Sequence, residues 1–268
     1  MSAPTVETTA HRLVAEAFLA PAGAGPDGAP GEPVKLPKVP GFVESSFSPL
    51  VRAVVARCLA GVTGGEPLGT EGARTALVLA TTFGDAATAD LGSKLLAAGQ
   101  VANPLLFYQS VPTTILGVVA RDFGITGPTM CFSARHDLRG EALDLVDLLL
   151  ADGEVDQVLL VAADLGADVR ARRVAGELAP LPLAESDTAV AFLFRRADPA
   201  AETTHSVVDG TQRPEFGALA GLVELYAAAV DHRNAAGDRI LTVPLATAWG
   251  PRRLDVLLGD ETGGVEEP

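Results

Sequence analysis

The sequence predicts an α/β domain in which helices cover both faces of a sheet. Three short, nearly continuous apolar runs, residues 75–81, 157–163 and 188–194, have the length and composition of strands buried on both sides. Between them lie longer stretches whose apolar residues recur at helical spacing. With 268 residues, 48% of them hydrophobic, the chain can fill one large core, and this pattern favours a single domain over residues 1–258.

The elements follow in order. Residues 9–19 are compatible with a strand or a short helix, and 20–41 are dense in Pro and Gly, which predicts an irregular loop. Residues 47–60 carry Leu50, Val54, Val55, Cys58 and Leu59 at helical spacing, and a Gly-rich stretch at 61–72 ends that helix. A strand at 75–81 and a helix near 86–98 come next. The stretch from Pro104 to Val118 is helical and bulky, and a helix over 111–123 leads through the turn Gly124-Ile125-Thr126-Gly127-Pro128 into a strand at 129–134. Asp137 is the expected N-cap of a helix over 137–152, with Glu141 in its first turn and a buried stripe of Leu138, Ala142, Leu145 or Val146, and Leu149. That stripe leaves Asp144 and Asp147 to a solvated face. Beyond 194 the expectation is a short strand at 205–208, a helix at 216–234, strands near 240–243 and 254–258, and a disordered acidic tail at 259–268.

Several function classes are excluded at this level. A net charge of −14 without a basic stripe argues against nucleic acid. No apolar run has membrane-spanning length and the first ten residues lack the layout of a signal peptide, which predicts a cytoplasmic location. The two cysteines, Cys58 and Cys131, lie in an apolar helix and an apolar strand, as reduced core residues do, and no metal-ligand spacing is present. Neither a metal nor an organic cofactor is implied.

Five segments, in order, carry a resemblance. They are Ala76-Leu77-Val78-Leu79-Ala80-Thr81-Thr82-Phe83-Gly84, Asn103-Pro104 with Ser110-Val111-Pro112, Phe123 to Pro128, the strand and turn from Thr129 to Leu138, and Val158 to Asp164. Together they cover most of residues 40–196, and the chain resembles the N-terminal half of β-ketoacyl synthases of the thiolase superfamily, in particular the short chain-length factors of type II polyketide and aryl-polyene systems. The resemblance implies a thiolase-like, layered α-β-α fold with a ketosynthase-like half over 40–196 and a compressed second half over 203–258.

A condensing enzyme of this family needs a cysteine thiolate at the start of the helix after that strand, with two histidines to stabilise the developing charge. Here the resemblance puts His136 at the nucleophile position, and Cys131 lies five residues earlier on the strand. The other histidines, His11, His205 and His232, do not stand where the family's loop histidines would. A condensing triad cannot be assembled, and the expectation is that His136 fills the space of a lost cysteine.

What remains is an inactive synthase fold. The resemblance implies that the strand Thr129, Met130, Cys131, Phe132, Ser133, Ala134 and Arg135 pairs across a two-fold axis with an active ketosynthase. Phe107, Tyr108, Pro112, Ile115, Leu116 and Phe132 are the candidate tunnel or interface residues. An acyl carrier protein, itself acidic, would dock mainly through the partner rather than on this acidic chain. Two alternatives remain open from the residues: a free-standing acyl transferase or hydrolase using His136, and a homodimeric scaffold or ligand-binding module.

Overall fold

The computed structural model describes residues 8–100, 103–134, 137–178, 182–197, 204–208, 213–233, 239–247 and 250–258. Its frame is one eight-stranded sheet, in the order β3-β2-β4-β5-β1-β8-β7-β6. The strands are β1 (Thr8–Leu19), β2 (Thr75–Ala80), β3 (Thr129–Phe132), β4 (Gln157–Asp164), β5 (Thr188–Arg196), β6 (Thr204–Val207), β7 (Arg239–Thr247) and β8 (Gly250–Leu258). The helices are α1 (Phe47–Thr63), α2 (Ala86–Ala97), α3 (Pro104–Ser110), α4 (Pro112–Phe123), α5 (Leu138–Ala151), α6 (Val169–Leu178) and α7 (Ala220–Arg233). Strands β3, β2 and β4 are parallel, and β5 runs antiparallel between β4 and β1.

The period of two in the buried strands divides the core. Ala76, Val78 and Ala80 of β2, with Val158, Leu160 and Ala162 of β4, face a layer made by α5 and α7. Leu77, Leu79, Leu159 and Val161 face the opposite layer, made by α1 and α4. Every residue of β2 and β4 is buried, which is why these runs read as continuously apolar. The expected layered α-β-α arrangement is therefore present.

Residues 8–19 resolve into a strand, and it sits at the centre. β1 pairs antiparallel with β5 and parallel with β8, so it joins the first half to the second within a single sheet. Helix α7 covers one face of β7 and β8, through Leu241, Val243, Leu254 and Val256, while Pro244 and Arg253 on the other face are exposed. An antiparallel pair tolerates one partly solvated face.

Three local expectations are refined. Val111 takes an extended conformation ahead of Pro112, which splits the helical stretch 104–118 into α3 and α4. Asp137 is indeed the N-cap, accepting the Gly140 amide at 2.9 Å. Helix α6 lies in a stretch where the sequence pattern predicts no element. Its signal was Asp168, whose carboxylate accepts the Ala171 amide at 2.7 Å as an N-cap does.

The solvated-face assignment of Asp144 and Asp147 is corrected. Asp147 meets His11 of β1 at 2.9 Å and Arg252 of β8 at 2.6 Å, and Asp144 lies 3.6 Å from Arg252. Helical spacing from Leu138 shows which side of α5 is apolar, but not that charged residues of β1 and β8 lie alongside it. The two cysteines are free. No helix among the described residues is long and apolar enough to cross a membrane. The tail at 259–268 lies outside the described residues.

Candidate functional site

In a parallel α/β sheet, chemistry gathers at the carboxyl ends of the strands. Here those ends belong to β2, β3 and β4, and they are tied together by side chains. Thr81, just past β2, donates its hydroxyl to Asp164 at the end of β4 at 2.9 Å. Thr82 gives the same carboxylate its amide at 2.7 Å and its hydroxyl at 2.6 Å. Ser133, just past β3, donates to the Thr82 carbonyl at 2.6 Å. Burial pushes the Asp164 carboxyl above its usual range, and the threonine hydrogen bonds oppose that rise.

The loop then turns sharply. Gly84 has φ +60°, and a Cβ there would lie 2.3 Å from Cγ of Pro112. Only glycine lets the loop pass Pro112 so closely in this conformation. Asp85 follows and caps α2, accepting the amide and the hydroxyl of Thr88. The crevice above this knot, between Gly84, Asp164, Gly166 and Ala184, has a volume of about 30 Å³, which admits water but falls far short of a roughly 300 Å³ small-molecule pocket.

The catalytic expectations are placed as follows. His136 and Arg135 lie outside the described residues, as does the side chain of His205. Cys131 is half-buried on β3, and burial pushes its thiol up, the opposite of an activated thiolate. His11 is held by Asp147, nine residues into α5 and so roughly 13 Å along the helix axis from its start. The ring Nδ1 of His232 contacts the Ala228 carbonyl oxygen at 2.7 Å on α7 itself. Neither histidine reaches the turn before α5. Among the described residues no group of His, Cys, Asp and Glu could hold a metal ion.

The candidate interface residues separate into two sets. Ile115 and Leu116 are buried to 0% and 1% exposure in the core under α4, so they do not belong to a surface. Amphipathic spacing assigned them to α4 correctly but could not say which flank meets the sheet. Phe107 and Tyr108 on α3 are 78% and 43% exposed, and Met130 on β3 is 42% exposed. Phe132 and Pro112 are half-buried, and Ala134 is buried. Leu96 and Leu105 add to the exposed apolar surface. The Tyr108 ring is set by Phe42, 5.4 Å away between centroids, and α3 is pinned to the loop before α1 by Gln109, whose buried side chain accepts the Glu44 amide at 2.9 Å.

Strand β3 is at the edge of the sheet. It pairs with β2 on one side, and its other side has no partner strand among the described residues. Thr129 and Met130 are exposed, and Cys131 and Phe132 are half-buried. An exposed, apolar, unprotected edge is a template for pairing with another chain.

Neither a family model nor a curated protein sequence matches the chain. Its three-dimensional structure does match solved ones. It is similar to the ishigamide ketosynthase/chain length factor with a TM-score of 0.63 and 13% identity, over 92% of this chain and 99% of that one. The chain has a thiolase-like ketosynthase fold. A second similar structure is the ketosynthase ApeO in complex with its chain length factor ApeC from Xenorhabdus doucetiae, with a TM-score of 0.57, 15% identity and coverage of 87% of this chain and 95% of that one. A third is the type II complex AntDE:AntF, an acyl-carrier protein with its ketosynthase bound to the hexaketide, with a TM-score of 0.53, 10% identity and coverage of 69% and 63%. The first two matches run nearly end to end over both chains. In the sequence, Asp164 of this knot stands out only as the end of an apolar run.

Proposed function

We propose that this chain is a non-catalytic chain-length-factor subunit, which forms a heterodimer with an active ketosynthase and shapes the acyl tunnel of a type II polyketide system, of the polyene kind. The observation that supports it most is the position of β3, an apolar edge strand with Met130 exposed and with Phe107 and Tyr108 exposed on α3. An isolated chain gains nothing from this arrangement, whereas pairing edge to edge would satisfy the strand and cover the apolar groups. Two of the similar structures pair a ketosynthase with a chain length factor.

The chemistry of the chain points the same way. The sequence has His136 where a condensing enzyme has cysteine, the Cys131 thiol is raised by burial, and His11 and His232 are engaged elsewhere. A chain of net charge −14 is a poor platform for an acidic carrier protein, which leaves that contact mainly to the partner in the cytoplasm.

The test is co-expression with a type II ketosynthase encoded beside it, followed by size exclusion and mass determination. A one-to-one complex that condenses acyl thioesters supports the reading. A lone chain or homodimer that turns over thioesters and loses that activity in His136→Ala would replace it with an acyl transferase or hydrolase. A stable, inert homodimer indifferent to the ketosynthase would replace it with a scaffold or binding module.

A further inference from the structure

Helices α2 and α6 follow the neighbouring parallel strands β2 and β4, and a groove of about 610 Å³ runs between them. That volume lies within the roughly 300–1,000 Å³ of small-molecule sites. Asp90 of α2 is sunk to 13% exposure and uses both carboxylate oxygens. Lys94, one turn along the same helix, donates Nζ to Oδ2, and Arg170 of α6 donates Nη1 to Oδ1 at 3.2 Å. One recessed carboxylate therefore holds a cation from each wall. The two cations stand outside it, Lys94 at 74% and Arg170 at 56% exposure. An ammonium has three donors and a guanidinium five, so both keep donors beyond those given to Asp90. The other acids along the groove are engaged. Asp168 accepts the Ala171 amide at 2.7 Å, and Glu177 holds Arg173 at 3.1 Å, seven residues along α6 from Arg170.

We infer that this groove binds a phosphorylated small molecule, its phosphate seated between Lys94 of α2 and Arg170 of α6. Two cations that reach the same carboxylate are close enough for the oxygens of one phosphate to bridge them. A phosphate presents three acceptor oxygens in different directions and so serves both walls at once, where a planar carboxylate has two. The guanidinium fork of Arg170 meets phosphate oxygens in pairs. Val169 and Val174 line the same groove and offer apolar surface to the rest of the ligand. With a net charge of −14 the chain repels anions in general, so saturable phosphate binding requires a local pair of cations such as this one. The inference does not depend on the chain-length-factor reading.

The test is a titration of phenyl phosphate with the full chain, alone or in the complex in which it purifies, at constant ionic strength and followed by the phosphorus NMR signal of the ligand. The expected result is saturable binding with a Kd on the order of 1 mM. Arg170→Gln and Lys94→Gln should each weaken it about tenfold, as loss of a charge-assisted hydrogen bond does. Arg253→Gln removes the same charge from an exposed position on β8 and should leave binding unchanged. A response that never saturates, unchanged binding in Arg170→Gln, or an equal loss in Arg253→Gln would overturn the proposal. Displacement of phenyl phosphate by an equal concentration of benzoate would overturn the assignment to phosphate.

Discussion

Asp164 at the end of β4 accepts both the amide of Thr82, at 2.7 Å, and the hydroxyl of Thr82, at 2.6 Å. With Thr81 on the same carboxylate, one acidic residue closes the loop that leaves β2 and fixes the floor of the crevice. A buried acceptor with this many charge-assisted donors holds backbone that no regular ladder reaches.

Asp164→Ala should cost about 3 kcal/mol of unfolding free energy, because it orphans two hydroxyls and an amide. Asp164→Asn retains an acceptor and should cost less. The wild type has a second signature. Its folded-state carboxyl is raised, so between the ordinary carboxylate value and the raised one the folded state binds the extra proton, and Asp164's contribution to stability falls as pH rises through that window. The wild-type-minus-Asn difference in urea midpoints, followed against pH, should slope in that direction.

Asp147 behaves in the opposite sense. Burial alone would raise its carboxyl, but the hydrogen bonds from His11 and Arg252 take it below its usual value. The stability it contributes is present above about pH 4 and is lost as pH falls through the depressed folded value. Asp147→Asn should therefore cost about 2 kcal/mol at neutral pH and almost nothing in strong acid. Chemical denaturation at both pH values checks it; an equal loss at both would remove the electrostatic link between α5, β1 and β8.

Gly84→Ala should be severe for so small a change. The new methyl group must share space with Pro112 while the backbone stays left-handed, a combined cost of about 3 kcal/mol. A thermal melt unchanged by this substitution would mean that the loop and α4 can part without consequence.

The exposed face and the core should respond differently. Met130→Lys and Phe107→Ser are expected to change the stability of the chain itself by less than about 0.5 kcal/mol while abolishing co-purification with a ketosynthase. Ile115→Ala should cost about 3 kcal/mol through a cavity. Pull-down yield set beside unfolding free energy separates the two classes, and retention of the complex by Met130→Lys would remove β3 from the interface.

Much of this fold was legible because local pattern and burial coincide. Residues 75–80 and 157–164 are apolar throughout since both faces of their strands are covered, and Asp137 announced the start of α5 by its position ahead of Leu138. Helix α6 escaped since its arginines Arg170, Arg172 and Arg173 mask a weak apolar stripe, although Asp168 marked its start. Of the candidate tunnel, interface and dimer-strand residues, Phe107, Tyr108 and Met130 are exposed, while Ile115 and Leu116 fill the core.

The amino-acid order alone determined most of the strands and helices, that His136 stands just ahead of α5, and that the chain is strongly acidic. Those properties depend on neighbours a few residues apart, through hydrogen bonds, side-chain period and charge. Only the tertiary structure decided that β1 lies between β5 and β8, that β3 is left at an edge, that Asp164 meets Thr82, and that Arg252 of β8 meets Asp147 of α5. Each of these joins residues distant in the chain, and each is set by how the whole set of apolar faces is buried at once, a sum that no local window contains.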